Sequence, residues 1–337
     1  MLRELETLPE GLLEAGAPEL DALLGGPTLI HLEGRRSEPL FVTVLLHGNE
    51  DTGFYAVQAL LRDYRGRELP RALSLFIGNV AAARHGVRRQ DEQLDYNRVW
   101  PGTDHADAPE LQIMRQVVDT MQARQVFASV DVHNNSGINP HYACINRIDN
   151  QFLHLASLFS RTVVYFIRPL GVQSMAMSHH CPAVTIECGK PSHNYGVDHA
   201  RDYIEACLKL NELSREPVPS HDVDLFHTVA TVKIPESVSF GFSDDTADLR
   251  LVDAIDHMNF RELPAGTQLG WLQRGDSLLL DVRDENGRPV QDRYFTIRES
   301  ALVTTRAFMP SMFTLDETII RQDCLGYLME RLLPESV

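Results

Sequence analysis

A chain of 337 residues, 43% hydrophobic and 23% charged, has the composition of an ordinary globular protein, and its length favours about two domains. Its formal net charge of −16 argues against nucleic acid and anionic membranes as partners, because phosphate binding requires a basic face. No apolar stretch approaches the ~20 residues that span a bilayer, and the amino terminus has no signal-peptide pattern. We therefore expect a cytoplasmic protein.

Apolar runs alternate with helical patterns over the first two thirds of the chain. Strands are predicted at residues 28–33, 40–46, 72–78, 126–132, 162–167 and 183–188. Helices are predicted near residues 51–64, 108–124, 149–160 and 196–213. This alternation predicts an α/β fold with a mixed, mostly parallel sheet and helices on both faces.

The pattern changes near residue 218, where Glu216–Ser220 reads as a short proline-bearing linker. Strands dominate beyond it, at Leu225–Ile234, Thr267–Leu272, Ser277–Val282 and Tyr294–Ile297. Asn286-Gly287 is a hairpin signal. We therefore predict two domains, residues 1–218 with the α/β sheet and the chemistry, and residues 219–337 as a smaller β-rich domain.

His47-Gly48-Asn49-Glu50 directly follows the continuous apolar run 41–46, which is typical of a parallel strand buried on both faces. A similar run, 126–130, leads into Asp131-Val132-His133, and the carboxyl ends of such strands are where open α/β sheets place their sites. Each piece alone has little specificity, because a lone histidine at a strand end is usually a hydrogen-bonded surface residue. Together, His47, Glu50 and His133 supply the three ligands with which hydrolases usually hold Zn²⁺, one ion per chain.

Glu187 follows Pro182–Ile186, another strand expected to be buried. A carboxylate at that position is rarely tolerated unless it is paired or coordinates something. One interpretation is a salt bridge with Lys190, three residues further on. The other is a general base beside the metal.

Four ordered motifs resemble the succinylglutamate desuccinylase and aspartoacylase family, which belongs to the wider zinc carboxypeptidase-like fold. They are His-Gly-Asn-Glu at 47–50, Asp-Tyr-Asn-Arg at 95–98, Asp-Val-His-Asn at 131–134 and Glu-Cys-Gly at 187–189. The resemblance implies an amide hydrolase of the deacylase type that binds zinc through His47, Glu50 and His133. It also implies that Glu187 activates the attacking water.

The resemblance further implies how a small anionic substrate is held. Asn97 and Arg98 match the family's Asn-Arg pair, which binds the substrate carboxylate, and a guanidinium can do this through two parallel hydrogen bonds. A surface ion pair is the ordinary alternative for Arg98. In the family an arginine upstream of this pair polarises the scissile carbonyl. Arg89 is the nearer match, with Arg88 as the alternative.

Two carboxylates are candidates for holding the zinc histidines in place. Asp95 resembles the family's carboxylate that accepts a hydrogen bond from the first zinc histidine, which fixes its tautomer. Asp131 is an alternative, because on a strand it points to the same side as His133.

The sequence departs from the family where the substrate is recognised. Enzymes that cleave N-acetylaspartate carry another arginine shortly before the catalytic glutamate, whereas residues 175–180 here read Met-Ala-Met-Ser-His-His. We therefore expect a different N-acyl amino acid or related amide. A zinc carboxypeptidase acting on short peptides and a non-catalytic metal-binding protein are the alternatives. The resemblance also makes a homo-oligomer plausible.

Five cysteines without a Cys-x-x-Cys pair predict free thiols in a reducing compartment. Cys188, although it adjoins Glu187, is interpreted as a small apolar filler. Several histidines lie near the motifs in sequence and are interpreted as polar loop residues rather than ligands: His141, His179, His180 and His193.

Overall fold

The computed structural model describes residues 1–105, 107–191, 193–243, 246–273 and 279–332. The chain divides into two compact units. The first comprises Met1–Asn134 and His141–Leu225, and the second comprises Asn135–Pro140 and Phe226–Val337.

The first unit is built on a mixed, mostly parallel sheet. Its strands are β1 Arg3–Leu5, β2 Thr28–Leu32, β3 Leu40–Val44, β4 Leu73–Ile77, β5 Ala128–His133, β6 Tyr142–Ile145, β7 Thr162–Tyr165 and β8 Ala183–Glu187. They are ordered β1-β2-β4-β3-β5-β8-β6-β7, and only the β2·β4 and β6·β8 pairs are antiparallel. The central strands β3, β5 and β8 are buried along their whole length, as their continuous apolar runs predict.

Helices cover both faces of this sheet. They are α1 Leu20–Leu24, α2 Thr52–Asp63, α3 Val80–Ala83, α4 Pro109–Ala123, α5 Asn150–Ser157, α6 Gln173–Met177 and α7 Asn194–Lys209. A Cβ placed on Gly53 of α2 would lie 2.8 Å from Val132, whereas Gln173 of α6 contacts Ser129. Since Ser129 and Val132 point to opposite sides of β5, α2 and α6 lie on opposite faces. The predicted fold class is confirmed.

The long helices pack through one apolar stripe. In α7 the buried residues recur at the spacing of one helical face. They include Ala200, Tyr203, Ile204, Cys207 and Leu208. Within the described residues, no helix combines the length and apolar character that crossing a membrane requires.

Several short elements of the first unit, among them strand β6 and helix α6, were not predicted. Strand β6 has four residues and helix α6 has five. Runs this short do not complete a recognisable period, so the sequence pattern cannot distinguish them from loops. Both matter for the site, because β6 pairs with β8 and α6 contacts β3 and β5.

The second unit is rich in β-structure, as expected. Its elements are β9 Asp224–Lys233, β10 Phe240–Gly241, β11 Leu249–Leu251, β12 Gln268–Leu272, β13 Asp281–Asp284, α8 Gln291–Tyr294, β14 Phe295–Arg298, β15 Ala301–Thr304, β16 Met309–Ser311, α9 Glu317–Gln322 and β17 Gly326–Arg331. One sheet has the order β10-β11-β12-β15-β14, and β9 pairs with β13 and β17. The turn at Asn286-Gly287 is present, with Gly287 at φ 76°. The start of the predicted strand Ser277–Val282 lies outside the described residues.

The division between the units differs from the predicted boundary at residue 218. The chain after the linker stays with the first unit as far as Leu225, because the N–H of Asp224 donates to the carbonyl oxygen of Arg161 at 2.7 Å. Residues 135–140 also belong to the second unit. There Asn259 donates to the carbonyl oxygen of Ile138 at 3.2 Å. The composition of residues 135–140 does not indicate that this segment belongs to a different unit from its neighbours.

Candidate functional site

The candidate site lies at the carboxyl ends of the central strands of the first unit. His133 and Glu187 are the last residues of β5 and β8, and they are paired in register. His47 follows β3 after a bend at Leu45, whose φ is 56°. The carboxyl ends of parallel strands lie at the same edge of the sheet, so these side chains, which are remote in sequence, lie close together there.

Gly48 allows the loop between His47 and Glu50 to lie against α3. A Cβ on Gly48 would collide with the backbone of Ala82 and Ala83. Only glycine permits this close approach of two backbones. The glycine of the motif therefore helps to fix the directions in which His47 and Glu50 point.

The carboxylate of Glu50 joins the two histidines. Nδ1 of His47 lies 2.8 Å from Oε1 of Glu50, and Nδ1 of His133 lies 2.7 Å from Oε2. One donor atom from each of the three buried side chains lies within 4.8 Å of the others. In the part of the chain that the structure describes, this is the only group of three or more such side chains that could hold a metal ion.

Each histidine is held from its other nitrogen by a carboxylate. Nε2 of His47 lies 3.0 Å from Oδ1 of Asp95, and Nε2 of His133 lies 2.9 Å from Oδ2 of Asp131. Asp95 and Asp131 are thus not alternatives, because each serves a different histidine. Such partners keep the ring oriented and increase the basicity of the nitrogen that faces the metal.

The electrostatics of the cluster favour a buried cation. Burial alone would raise the pKa of Glu50, but His47 and His133 hold that pKa well below its ordinary value. Burial would lower the pKa of His133, but Asp131 and Glu50 raise it well above the ordinary value. Two imidazole nitrogens and a carboxylate are also a common donor set for catalytic Zn²⁺. The residues present therefore fit the metal.

Glu187 is a buried carboxyl group whose ionisation depends on burial and on nearby charge. It is 5% exposed, and burial raises its pKa to about 8. A cation bound nearby would lower that pKa and favour the carboxylate. A carboxyl group poised in this range can accept a proton and return it during one reaction cycle. Lys190, the alternative salt-bridge partner, is exposed.

The structure brings Arg88, and not Arg89, to the cluster. The guanidinium of Arg88 donates to Oδ2 of Asp95 at 2.8 and 3.1 Å, and its Nη1 lies 3.8 Å from Oε1 of Glu50. Nη1 of Arg89 instead donates to loop carbonyl oxygens, including that of Gln93 at 2.9 Å. This geometry favours Arg88 over Arg89, the nearer match by motif spacing, and the role of either arginine in the reaction stays a prediction. Spacing cannot show which of two adjacent side chains a loop turns inward.

Asn97 and Arg98 occupy different environments. Nδ2 of Asn97 lies 3.1 Å from Nε2 of His133, and its Oδ1 accepts the main-chain N–H of Gln173 at 3.0 Å. Arg98 is half-buried, and its Nη1 donates to the carbonyl oxygen of Asn97 at 2.8 Å. The structure thus brings Asn97 directly to a metal-ligand candidate.

Two residues of the site were missed from the sequence. The main-chain N–H of Asn134 donates to Oε2 of Glu50 at 3.0 Å, and its Nδ2 donates to the carbonyl oxygen of Gly189 at 2.8 Å. Its place in the Asp-Val-His-Asn motif was a signal that could have identified it. Gln173 carries no motif and could not have been found in this way.

The other histidines and the cysteines lie outside the metal-ligand group. His179, His180 and His193 are exposed, and Nδ1 of His141 lies 2.8 Å from Nδ1 of His199. All five cysteines are free and buried. Burial raises the pKa of the Cys188 thiol well above its ordinary value, which suits an inert filler.

Two solved structures illustrate the fold that this chain shares with known proteins. Murine aminoacylase 3 has a similar structure, with a TM-score of 0.59 and 15% sequence identity over 88% of this chain and 96% of that one. Succinylglutamate desuccinylase from Chromobacterium violaceum is similar with a TM-score of 0.56 and 17% identity, over 89% of this chain and 86% of that one. At such low identities these likenesses establish the fold alone.

The sequence comparisons identify the family. A search of curated proteins finds no match. The family model of the succinylglutamate desuccinylase/aspartoacylase catalytic domain matches residues 39–210, which contain every residue of the candidate site. Because that match covers half of the chain, the protein belongs to the succinylglutamate desuccinylase/aspartoacylase family of deacylases.

Proposed function

We propose that this protein is a zinc-dependent amidohydrolase that removes the acyl group from a small N-acylated amino acid or a related carboxylate-bearing amide. The main support is the buried carboxylate of Glu50 between the imidazoles of His47 and His133, with Glu187 at the adjacent strand end. The names of similar structures, a desuccinylase and an aminoacylase, denote the same class of reaction.

The chemistry of the proposal divides between the metal and the side chains. When bound, zinc supplies a Lewis acid that lowers the pKa of a water molecule and polarises a carbonyl. Glu187 accepts a proton from the attacking water and returns it to the leaving nitrogen, so the amide is cleaved to a carboxylate and an amine. Asp95 and Asp131 keep the two imidazoles oriented meanwhile.

Three polar side chains are proposed to hold the substrate. Arg88, which lies 3.8 Å from Glu50, stabilises the negative charge that develops on the carbonyl oxygen. Arg98 and Asn97 bind the substrate carboxylate, as in the family's Asn-Arg pair. The absence of an arginine from residues 175–180 favours a substrate without the second carboxylate of N-acetylaspartate.

The adjacent arginines provide an internal test of this assignment. Arg88→Lys should lower kcat by about 100-fold, because an ammonium cannot keep the paired hydrogen bonds to Asp95 while stabilising the developing oxyanion. Arg89→Lys is the matched control and should retain activity within a few-fold. Steady-state kinetics and zinc content are measured for both variants. A large loss in Arg89→Lys alone would restore the assignment based on spacing.

A substrate panel tests the proposed function itself. N-acetyl and N-succinyl amino acids are compared with the same compounds amidated at the carboxylate and with short peptides. We expect the free acids to be hydrolysed best, with activity abolished by a chelator and restored by zinc. Preferential hydrolysis of peptides would identify a carboxypeptidase instead. Metal binding without hydrolysis of any compound would contradict the enzymatic proposal.

A further inference from the structure

The central strands carry polar side chains on the face that also holds His133. Ser129 and Asp131 precede His133 on β5 at two-residue spacing, and Thr43 of β3 is paired in register with Asp131. Thr43, Ser129 and Asp131 are each 0% exposed. Buried polar groups cost free energy unless they are hydrogen-bonded. We call these three side chains the polar layer. A group that hydrogen-bonds to the polar layer helps to fix the position of β5, the strand that ends in the metal-ligand candidate His133.

Gln173, the first residue of α6, joins the polar layer to Asn97. Its Nε2 donates to Oγ1 of Thr43 at 2.9 Å and to Oγ of Ser129 at 2.8 Å. Its main-chain N–H donates to Oδ1 of Asn97 at 3.0 Å. The first turn of a helix leaves its N–H groups without partners inside the helix, and Asn97 supplies one. The side chain of Gln173 is anchored on the sheet, and this anchoring fixes the position of the main-chain N–H that binds Asn97.

Asn97 extends this connection to both histidines. Its Nδ2 lies 3.1 Å from Nε2 of His133. Its main-chain N–H donates at 2.7 Å to Oδ1 of Asp95, which lies 3.0 Å from Nε2 of His47. Since Nε2 of His133 is hydrogen-bonded to Asp131, the Asn97 amide touches this ring without a hydrogen bond. A shift of α6 would therefore reach His133 through this packing contact and His47 through Asp95.

We propose that Gln173 is a positioning residue for the metal centre, an inference that rests on the proposed function. Its amide supplies two donors to two buried hydroxyls and so docks α6 on β3 and β5. The same residue satisfies two buried hydroxyls of the sheet and holds Asn97 through its main-chain N–H, so it couples the position of α6 to the metal-ligand candidates.

The test compares Gln173→Met with Gln58→Met. Gln58 is a buried glutamine of α2 whose Nε2 donates to the carbonyl oxygens of Leu12 and Ala15 at 2.9 and 2.8 Å. Both substitutions keep the length of the side chain and remove its amide. Gln173→Met should weaken zinc binding by about 10-fold, which is the usual effect of removing a residue that orients a metal ligand without binding the metal. It should also lower kcat more than it changes KM. Gln58→Met should lower only the Tm.

Zinc affinity is measured by competition with a chromogenic chelator, and Tm by circular dichroism. Equal zinc affinity in the unsubstituted protein and both variants would overturn the positioning role. If the unsubstituted protein binds no zinc, the proposed function fails instead, so the two failures are distinguishable. If Gln173→Met does not fold, Ser129→Ala serves, because it removes one acceptor of the same amide. A smaller loss of zinc affinity is then expected, and unchanged affinity would count against the role.

Discussion

Glu187→Gln is expected to lower kcat by about 10²- to 10⁴-fold while zinc binding is retained. Glutamine has nearly the same shape as glutamate, but its amide cannot accept and return a proton. Glu187 does not belong to the ligand group of His47, Glu50 and His133, so its replacement leaves the donor set intact. Single-turnover kinetics on the best N-acyl substrate and metal analysis of the same preparation measure the two quantities.

Cys188→Ala is the control for the neighbouring position. Cys188 is 0% exposed and adjoins Glu187, so its substitution reports any general disturbance of the end of β8. It should preserve kcat within a few-fold. Normal turnover by Glu187→Gln would remove Glu187 from the proton-transfer role. Loss of zinc together with activity would show that Glu187 contributes to the metal site.

The convergence of the site was predictable from the sequence because of strand topology. His133 and Glu187 each end an apolar run, and parallel strands bring their carboxyl ends to one edge of the sheet. His47 and Glu50 are joined by a short loop, so their relation is largely local. A continuous apolar run followed by polar residues can be recognised in a sequence without knowledge of the tertiary structure.

Loop conformation limited the rest of the prediction. Arg88 and Arg89 are adjacent, and only the path of the loop decides which guanidinium meets Asp95. Gln173 lies in a five-residue helix, and its importance arises from contacts with Thr43 and Ser129 that are remote in sequence. Such relations depend on tertiary packing and leave no periodic pattern.

The placement of residues 135–140 shows the same limit at the level of domains. His133 and Asn134 belong to the first unit, whereas the next six residues belong to the second. Within that unit Gly137 fits where a Cβ would collide with the carbonyl oxygen of Phe313. A linker rich in proline can be recognised in a sequence. A six-residue segment that belongs to the other unit, and that is held there by one glycine and a few hydrogen bonds, cannot.

Glu50→Gln should reduce zinc affinity by more than about 100-fold, and Asp131→Asn by about 10- to 100-fold. The first substitution removes the charge of the carboxylate that lies 2.8 and 2.7 Å from the two Nδ1 atoms. The second leaves all three donors present and weakens only the hydrogen bond that orients His133. Excess zinc should therefore restore more activity in Asp131→Asn than in Glu50→Gln.

The expected order of zinc affinities, with Glu50→Gln weaker than Asp131→Asn, distinguishes a metal centre from an ordinary buried hydrogen-bond network. In a network without metal, both substitutions would lower the free energy of unfolding, and added zinc would not restore either variant. In a metal centre, added zinc raises the Tm of each variant by an amount that increases with the logarithm of its remaining affinity. Asp284→Ala is the control, because it removes the Oδ1 that accepts the main-chain N–H groups of Asn286 and Arg288 at 2.9 Å within a turn. Its loss should lower the Tm without changing zinc affinity, and identical zinc responses in all three variants would refute the assigned ligands.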